Sequence, residues 1–354
     1  MDRVGVVRSQ AARPGAGSAA AAARPPLMRW LHFYLRFVVA ASLLLIVAGG
    51  LVTSTGSGLA VPDWPNTYGT FMFAFPLSQM VGGIFYEHGH RLIASTVGLL
   101  TIGLAFWLAR IERRRWVRRL GWTALAAVVI QGLLGGITVL YFLPAPVSIS
   151  HAGLAQIFFA LVVSLALFTS PGWRTGPGGR GARNDPVLAR LALAAPAVIY
   201  GQILIGATMR HTGAGLAIPD FPLAFGHLVP PQWTTGIAIH FAHRMGAVAV
   251  TAMVLATAGH LLFHHPGRRE LTRPALLLSA LVLVQVGLGA WTVLSGRQVA
   301  VNTAHVAVGA AAFAASVVLA LRVHRERFAD AGADVRPATS DAAEPIGAGS
   351  EARA

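Results

Sequence analysis

Four histidines set the chemistry open to this chain. His90, His151, His243 and His305 fall within the first turns of the second, fourth, sixth and eighth of its apolar segments. An ionisable side chain inside a membrane-length segment is expensive. It is retained for function or for a hydrogen bond between helices. One such histidine decides nothing, but four at matched positions of a repeat point to ligand pairs: His90 with His151, and His243 with His305. Two imidazoles from facing helices are a natural axial pair for haem iron. The chain has no cysteine, which excludes disulfides, thiolate metal sites, iron–sulfur clusters and covalent c-type haem. Zinc or a di-iron carboxylate centre fits the donor set less well than haem.

The neighbours of these histidines sharpen the chemistry. Glu87 precedes His90 by three residues, so the two share a helix face. The matching residue in the second half is His240. A carboxylate beside a pocket at the membrane edge can move protons or stabilise developing positive charge. The bland alternative is an acidic residue at a helix start. Arg91 and Arg244 directly follow ligand candidates, placed either to pair with haem propionates or to snorkel to the interface. His32, His260, His264, His265 and His324 lie near helix ends on the arginine-rich side, and His211 and His227 lie in outer loops; all seven read as solvated or interfacial.

The positions match because the chain is duplicated. Thr55-Gly-Ser-Gly-Leu-Ala-Val-Pro-Asp63-Trp64-Pro65 pairs with Thr212-Gly-Ala-Gly-Leu-Ala-Ile-Pro-Asp220-Phe221-Pro222 at an offset of 157. His90-Arg91 pairs with His243-Arg244, Gln131 and Gly135 with Gln285 and Gly289, and His151 with His305, at offsets of 153, 154 and 154. In the outer-loop motif, glycines permit tight turns, prolines fix the path, and Asp63 and Asp220 can accept backbone N–H bonds.

The elements that must position these residues are membrane helices. The chain has 354 residues, of which 55% are hydrophobic and 12% charged, against about 25% charged in a soluble domain. Eight apolar segments occupy approximately 33–52, 87–109, 120–141, 150–169, 190–209, 236–262, 274–295 and 301–322. Each approaches the roughly 20 residues that cross a bilayer core. The net charge of +15 comes from arginine alone. With eight spans, 24 of the 28 arginines fall on one side. That marks a cytoplasmic face carrying both termini rather than a nucleic-acid surface.

The expected fold is therefore an all-α membrane protein with eight transmembrane helices, arranged as two tandem, parallel-repeat four-helix bundles. Residues 1–28 and 323–354 read as disordered cytoplasmic tails. Residues 29–169 form the first half, 170–190 a cytoplasmic linker and 190–322 the second half. Even-numbered helices begin at the outer face, so all four histidines share a depth near it. The Glu87/His240 difference makes the first half the better place for chemistry.

The ordered set T-G-S-G-L-A-V-P-D-W-P, E-x-x-H-R at Glu87 to Arg91, H-A-G at His151, the second T-G-A-G-L-A-I-P-D-F-P, H-R at His243 and the last His at His305 resembles the haem A synthase family of cytochrome oxidase assembly. The resemblance covers about residues 30–322. It implies oxidation of the C8 methyl of haem O to a formyl group in two hydroxylations, giving haem A for terminal oxidases. It also implies that His90 and His151 bind the substrate haem with Glu87 assisting, and that His243 and His305 ligate a haem b cofactor. Electrons then come from an external donor, and haem O synthase is a natural partner in the inner (cytoplasmic) membrane. Some members carry a cysteine pair in the first outer loop. Val61 and Thr67 stand there in this chain, so thiol-linked reduction or haem delivery is excluded. The competing readings are a non-enzymatic di-haem b electron carrier and a parallel-repeat transporter. A carrier favours haems near opposite faces, and a transporter favours broken or polar helices at the midplane.

Overall fold

A computed structural model describes residues 24–174 and 185–325. The rest of both tails and the middle of the inter-half linker, with the expectations placed on them, lie outside the described residues. Among the described residues there is no β-strand, and eight long helices follow one another. They are α1 Arg24–Ser54, α2 Gly83–Ile111, α3 Arg115–Leu140, α4 Ala145–Thr169, α5 Pro186–His211, α6 Thr235–His264, α7 Arg269–Leu294 and α8 Val299–Val323. All eight are long and apolar enough to cross a membrane. The physical reason is that hydrocarbon offers no hydrogen bonds, so a spanning backbone must satisfy its own.

Most helices run several residues beyond their apolar segments. The first begins at Arg24, inside the stretch whose composition reads as tail. Helical hydrogen bonding continues into interfacial sequence where polar side chains are still wet. Asp185 caps α5 by accepting the Leu188 N–H at 2.9 Å, with Pro186 following at a position whose missing N–H costs nothing. Pro274 lies inside α7 and cannot donate to the carbonyl of Glu270 four residues back. Arg322 of α8 donates to that carbonyl instead, at 2.8 Å.

Each half closes a ring of contacts. α1 packs on α2, α2 on α3, α3 on α4 and α4 on α1, and the same order holds for α5 to α8. Across the seam, α1 meets α8, while α4 meets α5 and α8. Each half has its own apolar core, one around Leu31, Leu35, Leu104, Leu108 and Leu165, the other around Leu188, Leu261, Leu271, Leu278 and Leu319. Ala310 and Ala314 of α8 enter the first core, and Ala160 of α4 enters the second. Large apolar side chains such as Leu99, Phe106, Leu133, Leu283 and Phe263 face outward. A water-soluble surface does not tolerate so many; an acyl-chain environment does.

Candidate functional site

The four histidines occupy equivalent places. His90, His151, His243 and His305 lie seven, six, eight and six residues after the first residue of α2, α4, α6 and α8, or roughly 9–12 Å along each axis. These helices enter from one side, so the four rings share a layer of the bundle.

Each ring rests against a glycine of a neighbouring helix. A Cβ built on Gly49 of α1 would lie 3.1 Å from His90 Cε1, and one on Gly135 of α3 would lie 3.2 Å from His151 Cε1. In the second half, Gly206 of α5 would approach His243 Cε1 to 2.9 Å, and Gly289 of α7 would approach His305 Cε1 to 3.2 Å. Gly49 and Gly206 are 157 residues apart, and Gly135 and Gly289 are 154 apart. The repeat therefore preserves the seat as well as the histidine. Gly135 and Gly289 stand in the sequence repeat, but only packing reveals what they do.

The centroids of the His243 and His305 rings lie 6.4 Å apart, with the ring planes at 65°. Two imidazoles on opposite sides of one metal ion, each bonded at roughly 2 Å, have centroids about 6 Å apart, so the spacing of this pair matches one ion between them. Nδ1 of His90, His151 and His305 is buried and makes no well-formed hydrogen bond. The backbones of Leu45, Gln131 and Gln285, each one turn before the seating glycine, still interact with these three rings across helices. His243 differs: Gln202 Nε2 lies 3.0 Å from its Nδ1 and donates to its carbonyl at 2.7 Å. In the first half a carbonyl contact of this kind is made at the other histidine, where Gln131 of α3 donates to the His151 carbonyl at 3.0 Å.

The outer loops are strapped over these layers by a repeated device. Asp63 accepts the N–H groups of Tyr68 and Gly69, both at 2.8 Å, and Asp220 accepts those of Phe225 and Gly226 at 2.8 and 2.9 Å. Tyr68 and Gly69, like Phe225 and Gly226, have positive φ, and the aspartate bonds hold that conformation in place. Burial pushes the Asp63 carboxyl up. The N–H bonds from Gly69 and Tyr68 and the nearby Arg91 outweigh it and hold the group below its ordinary range. At Asp220 the Gly226 and Phe225 N–H groups lower it in the same way.

Arg91 and Arg244 complete the strap. Arg91 donates to the carbonyls of Asp63 (2.7 Å), Val61 (3.0 Å) and Asn66 (3.1 Å). Arg244 donates to those of Asp220 (2.6 Å), Leu223 (2.7 Å) and Ile218 (3.2 Å). The indole of Trp64 lies on Gly136, where a Cβ would come within 2.6 Å of the ring. The first loop thus docks on α3 one residue from the His151 seat.

Glu87 and His240 share one job and differ in charge. Glu87 is buried, pairs with Arg91 at 2.7 Å and accepts the Val61 N–H at 2.8 Å. His240 is buried and takes the equivalent Ile218 N–H on Nδ1 at 3.2 Å. Each anchors the outer loop to an even-numbered helix, but only the first half places an acidic group there. His88, to which the sequence assigned no role, is buried with Nδ1 3.0 Å from Thr67 Oγ1 and belongs to the same anchor.

Two expectations change. Arg210 and His211 lie at the seam between the halves, close enough to His305 and His151 respectively to interact electrostatically. Arg210 donates to Ser54 of α1 at 2.7 Å, and Asn302 and Thr303 of α8 reach the same hydroxyl at 3.2 Å. His211 therefore belongs to the end of α5 rather than to a solvated outer loop. At the opposite end of the bundle, His260 and His265 both contact Asp185, at 2.6 and 2.8 Å. They are half-buried and paired, not simply solvated.

A model of the family described as cytochrome oxidase assembly protein matches residues 32–317. The chain belongs to this family. Its relatives in that family include proteins named Heme A synthase. The one from Symbiobacterium thermophilum is 34% identical over 71% of this chain and 81% of its own length. One from a Caulobacter species is 30% identical over 85% of this chain and 96% of its own. One from an Exiguobacterium species is 27% identical over 86% and 97%. The matched region of the family model contains all eight helices apart from the first turns of α1 and the last turns of α8, and all four glycine-seated histidines.

Proposed function

We propose that this chain is a haem A synthase, a membrane oxidoreductase that converts the C8 methyl of haem O to the formyl group of haem A. The observation that carries this reading is the set of four glycine-seated histidines at one depth, in two halves that differ by the charge of Glu87 against His240. His90 and His151 hold the substrate haem in the first half, residues 29–169. His243 and His305 hold a haem b in the second half, residues 190–322. The haem b, when bound, supplies one-electron transfer. The electrons originate outside the chain, which has neither cysteine nor a flavin motif.

The protein's own part is positioning. The paired imidazoles on their glycine seats would hold a haem in each half. Gln202 holds the His243 residue from α5, through contacts at its Nδ1 and its backbone carbonyl. Glu87 lies one helical turn from His90, towards the outer loop, with one oxygen on Arg91 and the other on the Val61 N–H. That pairing keeps a negative group beside the reacting face, where it stabilises positive charge developing on the substrate and accepts a proton. Arg91 and Arg244 hold the loops that close the pockets against water, and any propionate contact they make adds to that strap. Arg210, at the seam, adds a cation between the two pockets. The arginine distribution supports placement in the inner (cytoplasmic) membrane with both termini cytoplasmic. Haem O synthase and the terminal oxidase assembly machinery are the implied partners.

The test is pigment extraction from membranes of a host supplied with haem O and lacking its own enzyme. Wild-type protein is expected to yield haem A, and Glu87→Gln to lower the yield by on the order of 100-fold. Protein that binds haem yet yields no haem A overturns the enzymatic reading and leaves a di-haem carrier.

A further inference from the structure

The face of the bundle opposite the histidine layer holds a second constellation of donors. Asp185 precedes α5, His260 lies in the last turns of α6, and His265 directly follows that helix. One donor atom from each of the three lies within 4.8 Å of the other two. Both imidazoles converge on the single oxygen Oδ2, at 2.6 Å from His260 and 2.8 Å from His265. The other carboxylate oxygen is committed to the Leu188 N–H at 2.9 Å, which fixes the direction in which Oδ2 points. His264 stacks on His260 with centroids 4.3 Å apart and planes at 21°, which holds that ring's orientation. The donor directions are therefore set before any ligand arrives.

We propose that Asp185, His260 and His265 form a binding site for a divalent cation of the zinc class. Two imidazole nitrogens and one carboxylate oxygen are a borderline-hard donor set of the kind that takes zinc, with water as a fourth ligand. Without metal, each ring donates an Nε2 proton to Oδ2. On binding, those protons reside on Nδ1, and the Nε2 lone pairs turn to the cation. Two bonds of roughly 2 Å at a tetrahedral ion place donors a little over 3 Å apart. The two Oδ2···Nε2 edges thus need to open by only about half an ångström. Burial alone would push the Asp185 carboxyl up. The Leu188 N–H and the two imidazoles outweigh it and keep the group well below the ordinary carboxylate range, so the anion is ready for a cation. A bound ion would clamp the start of α5 to the α6–α7 turn, with no direct part in chemistry at the other face.

The proposal is independent of which haem fills which half. The test uses full-length, haem-loaded protein in detergent, stripped with a chelator and titrated with Zn²⁺. Haem loading keeps zinc off the four haem-pocket histidines, and the variants correct for the rest. Wild type is expected to bind one zinc ion more than Asp185→Asn, or to bind it at least 10-fold more tightly. Asparagine preserves the helix cap, so an unchanged haem spectrum reports an intact bundle. His265→Gln should lose the same ion, and it decides the matter if Asp185→Asn does not assemble. Equal zinc binding by wild type and an intact variant overturns the proposal.

Discussion

At the scale of single residues, the decisive relation is between a histidine and the glycine under it. Replacing Gly206 by Ala brings a methyl within 2.9 Å of His243 Cε1. Overpacking of this kind costs about 1–3 kcal/mol, so haem occupancy of the second pocket should weaken on the order of 10-fold or more. Absorbance titration of Gly206→Ala with haem checks this, and unchanged affinity would mean that the seat is not needed. The histidines were legible in the sequence because four ionisable residues at matched positions of apolar segments have few explanations. Their glycine seats were only half legible. Gly135 and Gly289 fall in the repeat, but nothing in one dimension says that they face a ring on another helix. Asp185, His260 and His265 were missed for a related reason: they are 75 and 80 residues apart in the sequence, and no second copy in the first half draws attention to them.

Elements carry a different kind of information. The apolar segments located all eight helices, and the ends moved outward because interfacial turns remain helical without being apolar. The loop motif showed that the outer connections are alike without showing how they are held. Its aspartates hold two backbone N–H groups each, and Arg91 and Arg244 hold the carbonyls. That arrangement predicts a pH dependence. A carboxylate held below its ordinary value of 3.8 contributes stability that is fully present above that value and is lost as the pH falls through the lower folded value. Hydrogen exchange corrected for intrinsic rate should show constant protection of the Tyr68, Gly69, Phe225 and Gly226 amides from pH 7 to about 5. Protection should be lost only below 3.8. Asp63→Asn should raise exchange at Tyr68 and Gly69 near neutral pH while leaving Phe225 and Gly226 unchanged. Equal loosening of both loops would mean that the two straps are not independent.

The whole molecule is a duplicated arrangement whose two halves differ. The two halves share helix order, contact ring, histidine seats and loop straps, and the seam joins them through Ser54, Arg210, Asn302 and Thr303. They diverge where Glu87 stands opposite His240, two residues that take the same backbone bond with different charge. The most direct test of inequivalent pockets is the haem content of purified single variants from a host making both haem O and haem b. His305→Ala should lose haem b and keep the substrate-derived pigment, whereas His151→Ala should keep haem b and lose that pigment. If both variants lose the same pigment to the same extent, the assignment of one half to substrate and the other to cofactor is wrong.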